Sequence, residues 1–385
     1  MKYFGYACLS LLLALPAAAQ SQFVYVNDNV VTGTPNSPNT VSAFKVSADG
    51  SLSLLANSPF KTGGNGGGNN IDPEEIAIAN EQANAYLYAA NDGSGNISAF
   101  RIAPNTGVLA HVTGSPFLAD GAPGGDYSLA TSPNGKFLFA TADTTTVIHV
   151  YSIASTGALT EVAGSPYETG ANSQGLKVTP NGQYLVVGEA SLTAVGVYSI
   201  STSGTLTAAL GSPFAASASP FDVAVNCAGN LVYVIDNGSF NGSYSAIDAY
   251  SISSSGTLTP VPGEPFYNGT SSTSGGLVLS PNGQFLFVTD TFSQDISSLA
   301  VSSDGALAQV AGSPFTTVDW TGGVAITRSG NYLYSVYFDS ERVDGRAVGA
   351  NGELTAVPGT PFSTEHNQLG VPTVITFPPP ACPAG

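Results

Sequence analysis

The sequence predicts an all-β fold, a seven-bladed β-propeller of four-stranded antiparallel blades, and three observations carry that reading. A short phrase, Gly-Ser-Pro-Phe or a close variant, recurs at Asn57–Phe60, Gly114–Phe117, Gly164–Tyr167, Gly211–Phe214, Gly263–Phe266, Gly312–Phe315 and Gly359–Phe362. The copies lie 47 to 57 residues apart, a period that belongs to propellers and solenoids. Each period also holds four short β-rich runs separated by turn signals, the composition of one blade. Finally, the first period lacks an innermost strand, whereas Val371–Phe377 reads as a strand left over after the last copy. Pairing the two ends closes the ring and removes exposed sheet edges.

In chain order, residues 1–19 read as a secretory signal peptide. Lys2 supplies the positive start, Ala7–Leu15 the apolar run and Ala17-Ala18-Ala19 the small-residue cleavage site, so the propeller is expected to occupy residues 20–385. The apolar run is too short for a membrane span, and Cys8 stands at its start rather than its end, which argues against a lipid anchor. The expectation is an exported protein, secreted or periplasmic, and a monomer.

The period from Gly275 to Phe315 shows the unit. Leu277–Leu279 is the inner strand, Pro281-Asn282-Gly283 a turn and Phe285–Val288 the second strand. Ser297–Val301 is the third, Ser303-Asp304-Gly305 a turn and Ala306–Val310 the fourth. A Gly two residues before a Leu, as in Gly157-Ala158-Leu159, marks a tight turn that needs positive φ. The Pro of the recurrent phrase is expected to end the outer strand, since it cannot donate to a ladder, and the following aromatic to pack between blades. Lys61–Asn70 and Gly238–Ser245 read as longer loops. The Trp-Asp signature of WD40 repeats is absent, and the Gly-Gly doublets precede the first strand rather than following the second as in kelch repeats.

Only 9% of residues are charged, with 9 basic against 26 acidic and a net charge of −17. That balance excludes nucleic acid and anionic membranes as natural partners, since both require Lys and Arg clusters. No HExxH, paired CxxC or GxSxG motif occurs. Asn91–Asn96 and Asp236–Asn241 have the Asp/Asn/Gly content of a Ca²⁺ loop, which tight turns share. No cofactor is expected, and a divalent cation such as Ca²⁺ is the one candidate.

The pattern Pro-Asn-Gly-x-aromatic-Leu, then a third strand with Val-x-x-Tyr, then Gly-x-Leu, resembles the lactonase-type seven-bladed propellers. That family includes bacterial 6-phosphogluconolactonases of the cycloisomerase-2 type and the fungal carboxymuconate lactonizing enzyme. The resemblance implies the fold across the mature chain and a carboxylic ester hydrolase activity on lactones. The enzymes carry Pro-Arg-His, His-Pro and Asn-Glu elements. Here the matching stretches are Ser173-Gln174-Gly175, Thr179-Pro180 and Gly188-Glu189, so only the glutamate is retained. A family His before Ser corresponds to Tyr127 before Ser128. Without these groups, the oxyanion donor and the water-activating base of lactone hydrolysis are missing, as is the Arg that a phosphorylated substrate needs.

A carboxylate follows the second strand in every period: Asp28, Asp92, Asp143, Glu189, Asp236, Asp290 and Asp339. Either each caps its own turn, or together they ring one face with negative charge. Loops on that face would add Asp72, Glu74, Asp126, Tyr127, Gln174, Phe221, Asp222, Asp319, Trp320, Glu365 and His366. Of these, Tyr127, Gln174, Asp222, Trp320 and Glu365 are the candidate ligand contacts. Glu189 and His366 are the candidate catalytic groups. Trp320, the sole Trp, could stack on a sugar or a cation. His111 and His149 fall on strands and read as structural. After signal removal two cysteines remain, Cys227 and Cys382. Both follow inner strands, and Pro378-Pro379-Pro380 is a stiff extended segment, so the sequence predicts a disulfide tying the tail across the face opposite the acidic mouth.

Two functions follow. The favoured one is a divergent or non-catalytic propeller that binds a small molecule, carbohydrate or protein at an acidic central mouth. The alternative is a lactone hydrolase using Glu189.

Overall fold

The computed structural model describes residues 21–29, 37–67, 75–81, 84–119, 125, 127–236, 245–269, 274–338, 340, 342–364 and 373–379. Seven antiparallel sheets follow one another, each from one period of the sequence. In blades 2 to 7 the strands run outward in chain order, as in Ser173–Val178, Tyr184–Glu189, Ala194–Ile200 and Leu206–Ala208 of blade 4. Blade 1 departs from this as the sequence predicts. Its inner strand is Thr373–Phe377 from the far end of the chain, paired with Gln22–Asn27 from Phe23↔Phe377 to Asn27↔Thr373. No described helix is long and apolar enough to cross a membrane.

The recurrent phrase does more than stop a strand. Each sheet carries a fifth, two- to seven-residue strand that begins at the aromatic and pairs with the start of the third strand, alongside the fourth. Third and fourth strands pair at Tyr198↔Ala208, and third and fifth at Val195↔Phe214. The phrase is therefore a break in one outer edge. All seven X–Pro bonds in it are cis. The Ser hydroxyl fills the break. Ser212 Oγ accepts the Val197 N–H at 2.9 Å, and Ser58, Ser115, Ser165, Ser313 and Thr360 do the same for Ala43, Ala99, Val150, Ser298 and Gly345. A side-chain oxygen thus replaces the carbonyl that the interrupted strand cannot offer.

The core is seven clusters, each shared by two adjacent blades. Val186, Val195 and Val197 of blade 4 meet Val223, Val232 and Val234 of blade 5, with Phe214 of the phrase packed against them. Val24, Val26 and Phe44 meet Tyr334, Val336 and Val343 where blade 7 adjoins blade 1. The Gly of each Gly-x-Leu turn has positive φ and lies under a side chain of the preceding blade. A Cβ on Gly157 would come within 2.3 Å of the Tyr86 ring. Buried tyrosines lock the same seam: Tyr25, Tyr88, Tyr233 and Tyr334 donate to the carbonyls of Gly107, Gly157, Gly305 and Gly50.

Candidate functional site

Each inner strand joins the second through a tight turn at one face of the ring. The opposite face, the mouth, gathers the segments between second and third strands and those leading into the next inner strand. The carboxylates of the repeat fall at this mouth because a short polar side chain there can accept the N–H groups freed by the turn. Asp236 Oδ1 accepts the Ala246 N–H at 2.9 Å. Asp28 Oδ2 accepts from Thr40 Oγ1 at 2.6 Å and Ser42 Oγ at 3.0 Å. Asp290 accepts from Asn268 Nδ2, and from Ser297 Oγ at 2.7 Å. Asp28, Asp92, Glu189, Asp236 and Asp290 are all buried. Of the six described members, only Asp143 reaches the surface, and Asp339 lies outside the described residues. The expected open acidic ring is thus mostly a set of internal acceptors.

Blades 1 and 2 extend this into a buried network. Asn29 Nδ2 donates to Glu75 Oε1 at 3.1 Å and Asp92 Oδ2 at 2.6 Å, and Asn27 Nδ2 donates to Glu75 Oε2 at 3.2 Å. The Asn91–Asn96 loop closes on itself, with Asn91 Nδ2 donating to Asn96 Oδ1 at 2.7 Å.

Glu189, the one residue matching the enzyme pattern, ends the second strand of blade 4 and is fully buried. Its Oε1 accepts from Tyr198 Oη at 2.6 Å, while Oε2 has no hydrogen-bond partner. Burial raises its pKa, and the Tyr198 hydrogen bond opposes the rise only in part. Full burial and the Tyr198 hydrogen bond depart from an open base within reach of water. Beside it at the surface is a shallow groove of about 290 Å³ lined by Asp143, Asn172, Gln174, Ala190, Ser191 and Ser219, from blades 3 to 5. Ser191 Oγ accepts the Asn172 N–H at 3.0 Å, fixing the two segments together. Gln174 reaches the mouth from the start of the inner strand Ser173–Val178 rather than from the expected loop.

Tyr127 does not. It is 1% exposed in the inner strand of blade 3 and packs in the seam with blade 2. Asp222 is also displaced from the expected mouth loop. Pro220 begins the inner strand Pro220–Val225 rather than ending a loop, and Asp222 lies within it. Asp222 faces a central cavity of about 380 Å³ walled by inner-strand residues of all seven blades, among them Ile78, Leu129, Lys177, Val225, Leu279, Ile326 and Val374. Asp222 Oδ1 accepts its neighbour Val223 N–H at 2.7 Å, and Oδ2 accepts Leu277 N–H at 3.0 Å. Burial raises its pKa to about 6, against the pull of the Lys177 charge and these N–H groups. Burial likewise lowers the pKa of Lys177, which Asp222 opposes. This pair was not legible in the sequence.

Trp320 is 37% exposed and meets Phe292 edge to face, with ring centroids 5.1 Å apart. The two rings leave an aromatic ledge at the mouth between blades 6 and 7. His149 pairs with Glu161 at 3.0 Å, and His111 Nε2 contacts the Lys61 carbonyl at 2.9 Å, both on strands as expected. Glu365 and His366 lie outside the described residues. On the far side, Cys227 is disulfide-bonded and lines the cavity rim with Pro379, whose carbonyl accepts from Arg328 Nη1 at 3.5 Å. Cys382 lies outside the described residues.

The structure can be set beside known proteins. A protein from Bacteroides uniformis ATCC 8492, provisionally named a 6-phosphogluconolactonase, superposes with a TM-score of 0.72 at 17% identity, covering 92% of this chain and 99% of its own. The periplasmic gluconolactonase of Pseudomonas aeruginosa gives 0.70 at 17% identity, covering 94% and 100%. A Lactobacillus plantarum protein gives 0.69 at 17%, covering 93% and 99%. These identities speak for the fold alone. No curated protein matches the chain significantly. The family described as Lactonase, 7-bladed beta-propeller, matches residues 78–225 and 175–365. With that match over most of the chain, and with seven blades closed by the C-terminal strand, the protein belongs to the seven-bladed β-propeller lactonase family.

Proposed function

We propose that the protein is an exported, divergent member of this family that binds a neutral polyhydroxylated molecule, a sugar or sugar lactone, at its mouth without hydrolysing it. The observation that carries this is the state of Glu189, sealed behind the groove and held by Tyr198. The groove itself offers amides and hydroxyls from Asn172, Gln174, Ser191 and Ser219, and its one charged side chain is the acidic Asp143. Such a lining suits hydroxyl groups and repels a phosphate, which calls for Arg or Lys. The Trp320–Phe292 ledge adds an apolar face of the kind on which a sugar ring stacks. The disulfide at Cys227 supports export, because such bonds persist in oxidising compartments.

The family match favours a second reading, lactone hydrolysis. One set of measurements separates the two. Trp320 is the only Trp, so intrinsic tryptophan fluorescence reports on the mouth. Saturable changes with neutral sugars or gluconolactone, lost in Gln174→Ala, together with gluconolactone hydrolysis no faster than buffer, are the expected result. Enzymatic turnover that collapses in Glu189→Gln would overturn the proposal in favour of the hydrolase.

A further inference from the structure

Blade 6 differs from the other blades in the row nearest the mouth. Ser274, Asp290 and Asp295 are directly opposite one another on its first three strands, so their side chains project from the same face of the sheet. That face turns toward blade 5, from which Asn268 reaches over to donate to Asp290. The matching position opposite Glu189 in blade 4 is Ala194, and opposite Asn91 in blade 2 it is Asn96. Only here, among the described rows, do two carboxylates face each other.

All three groups are buried, Ser274 and Asp290 fully and Asp295 to 6% exposure. Two like charges so placed repel strongly unless something positive lies between them. Part of their oxygen capacity is used: Asp290 accepts from Asn268 and Ser297, and Asp295 hydrogen-bonds Asp290. Two buried oxygens are not used. Asp295 Oδ1 and Ser274 Oγ have no hydrogen-bond partner, a costly arrangement for polar atoms away from water. Both belong to the row that contains the two carboxylates.

We propose that this row is a site for a hard divalent cation, with Ca²⁺ as the fitting ion, bound by the Asp290 and Asp295 carboxylates and by Ser274 Oγ. The donors are all oxygen, which selects Ca²⁺ or Mg²⁺ over softer metals. Two carboxylates neutralise the ion, and a mixture of carboxylate and hydroxyl oxygens suits the looser Ca²⁺ geometry better than strict Mg²⁺ octahedra. The ion joins three strands of blade 6 next to its seam with blade 5.

The test uses the whole chain after chelator treatment and dialysis, with CaCl₂ and MgCl₂ added at constant ionic strength. Calorimetric titration and the thermal midpoint are both read. One Ca²⁺ per chain and a rise in midpoint that grows with Ca²⁺ concentration are expected. Asp295→Asn should weaken binding by about tenfold or more through loss of one carboxylate, with a smaller loss in Ser274→Ala. Glu168→Gln, a surface carboxylate outside the row and the groove, should leave binding unchanged. Asp290→Asn also disturbs Asn268 and Ser297. Asp295 and Ser274 therefore carry the test, because the oxygens assigned to the ion have no protein partner to lose. A midpoint indifferent to millimolar Ca²⁺, or a response that survives Asp295→Asn and disappears in Glu168→Gln, would overturn the assignment.

Discussion

Replacing Gly157 with Ala tests the seam between blades most directly. Gly157 has φ +84°, and its added Cβ would lie 2.3 Å from Tyr86 Cδ1 and 2.5 Å from Cε1. Two costs add. Holding an L-residue at such a φ costs about 1–2 kcal/mol. Moving the ring is the second cost. Tyr86 is 3% exposed, and its hydroxyl donates to the Ser155 carbonyl at 2.7 Å, so it cannot swing away without losing both packing and a hydrogen bond. Overpacking of this kind costs roughly 1–3 kcal/mol. The sum is about 2–5 kcal/mol, or a fall in Tm of about 3–10 °C for a domain of this size. Gly283→Ala is the matched control: φ is +69°, and nothing lies within 4 Å of the new methyl group. It isolates the backbone cost, and its Tm should fall by no more than half as much. Both variants are compared by differential scanning calorimetry at one scan rate. Equal losses in the two would refute the claim that the turn glycines are required by the neighbouring blade's ring.

Three further outcomes follow from the same geometry. Ser212→Ala removes the oxygen that accepts the Val197 N–H and should cost about 1–3 kcal/mol by chemical denaturation; a neutral result would mean water replaces the hydroxyl and the Ser is dispensable. In blade 5 the phrase carries Glu264 instead of a hydroxyl, and burial and the Asp248 carboxyl raise its pKa to about 7. A carboxyl raised in the folded state makes that state bind more protons than the unfolded chain, so stability is greatest below the unfolded value and declines as pH rises toward about 7; the slope should be absent in Glu264→Gln, and an identical Tm–pH profile would contradict it. Cys227→Ser should lower stability by about 2–4 kcal/mol, and non-reducing peptide mapping should recover Cys227 joined to Cys382; recovery of both as free thiols would end the idea of a tethered tail.

The architecture was legible because it is written seven times. Gly-x-Leu, Pro-Asn-Gly and the recurrent phrase each fix a local conformation, and their period fixes the ring. What one copy leaves ambiguous, such as whether Leu307–Gln309 is a strand, its six relatives decide. The cis Pro and the hydroxyl that mends the outer edge were not legible. The hydroxyl's role depends on the third strand lying alongside, a contact between residues 15 apart in sequence. The pairing of Lys177 with Asp222 in the cavity escaped for a related reason, although Asp222 itself stands among the candidate ligand contacts. A Lys in a strand reads as solvent-facing, and Pro220 two residues before Asp222 reads as a break. Only closure of the ring turns both side chains toward the cavity, and Pro220 is tolerated because it opens the strand. Tyr127 was misplaced because a single Tyr after a Gly-rich stretch looks like a loop, whereas the inner strand starts on it.

The same logic says where chemistry is to be sought. Positions that agree among the seven copies are accounted for by packing and turns, as the buried carboxylates at the ends of the second strands illustrate. Function must lie where one copy breaks the pattern at a buried or mouth-facing position. Glu189 does not pass this criterion, since every blade has an acid or its equivalent nearby and this one is sealed by Tyr198. Asp295 does, because the corresponding residues opposite Glu189 and Asn91 are Ala194 and Asn96. Trp320 does as well, the one indole of the chain and 37% exposed. The departures in blade 6 and at the adjoining start of blade 7 therefore place the cation row and the aromatic ledge on one sector of the mouth. A ligand stacked on Trp320 would there rest on a blade whose rigidity depends on the ion, so sugar binding read by Trp320 should weaken after Ca²⁺ removal. Ca²⁺-independent affinity would show the two features to be uncoupled.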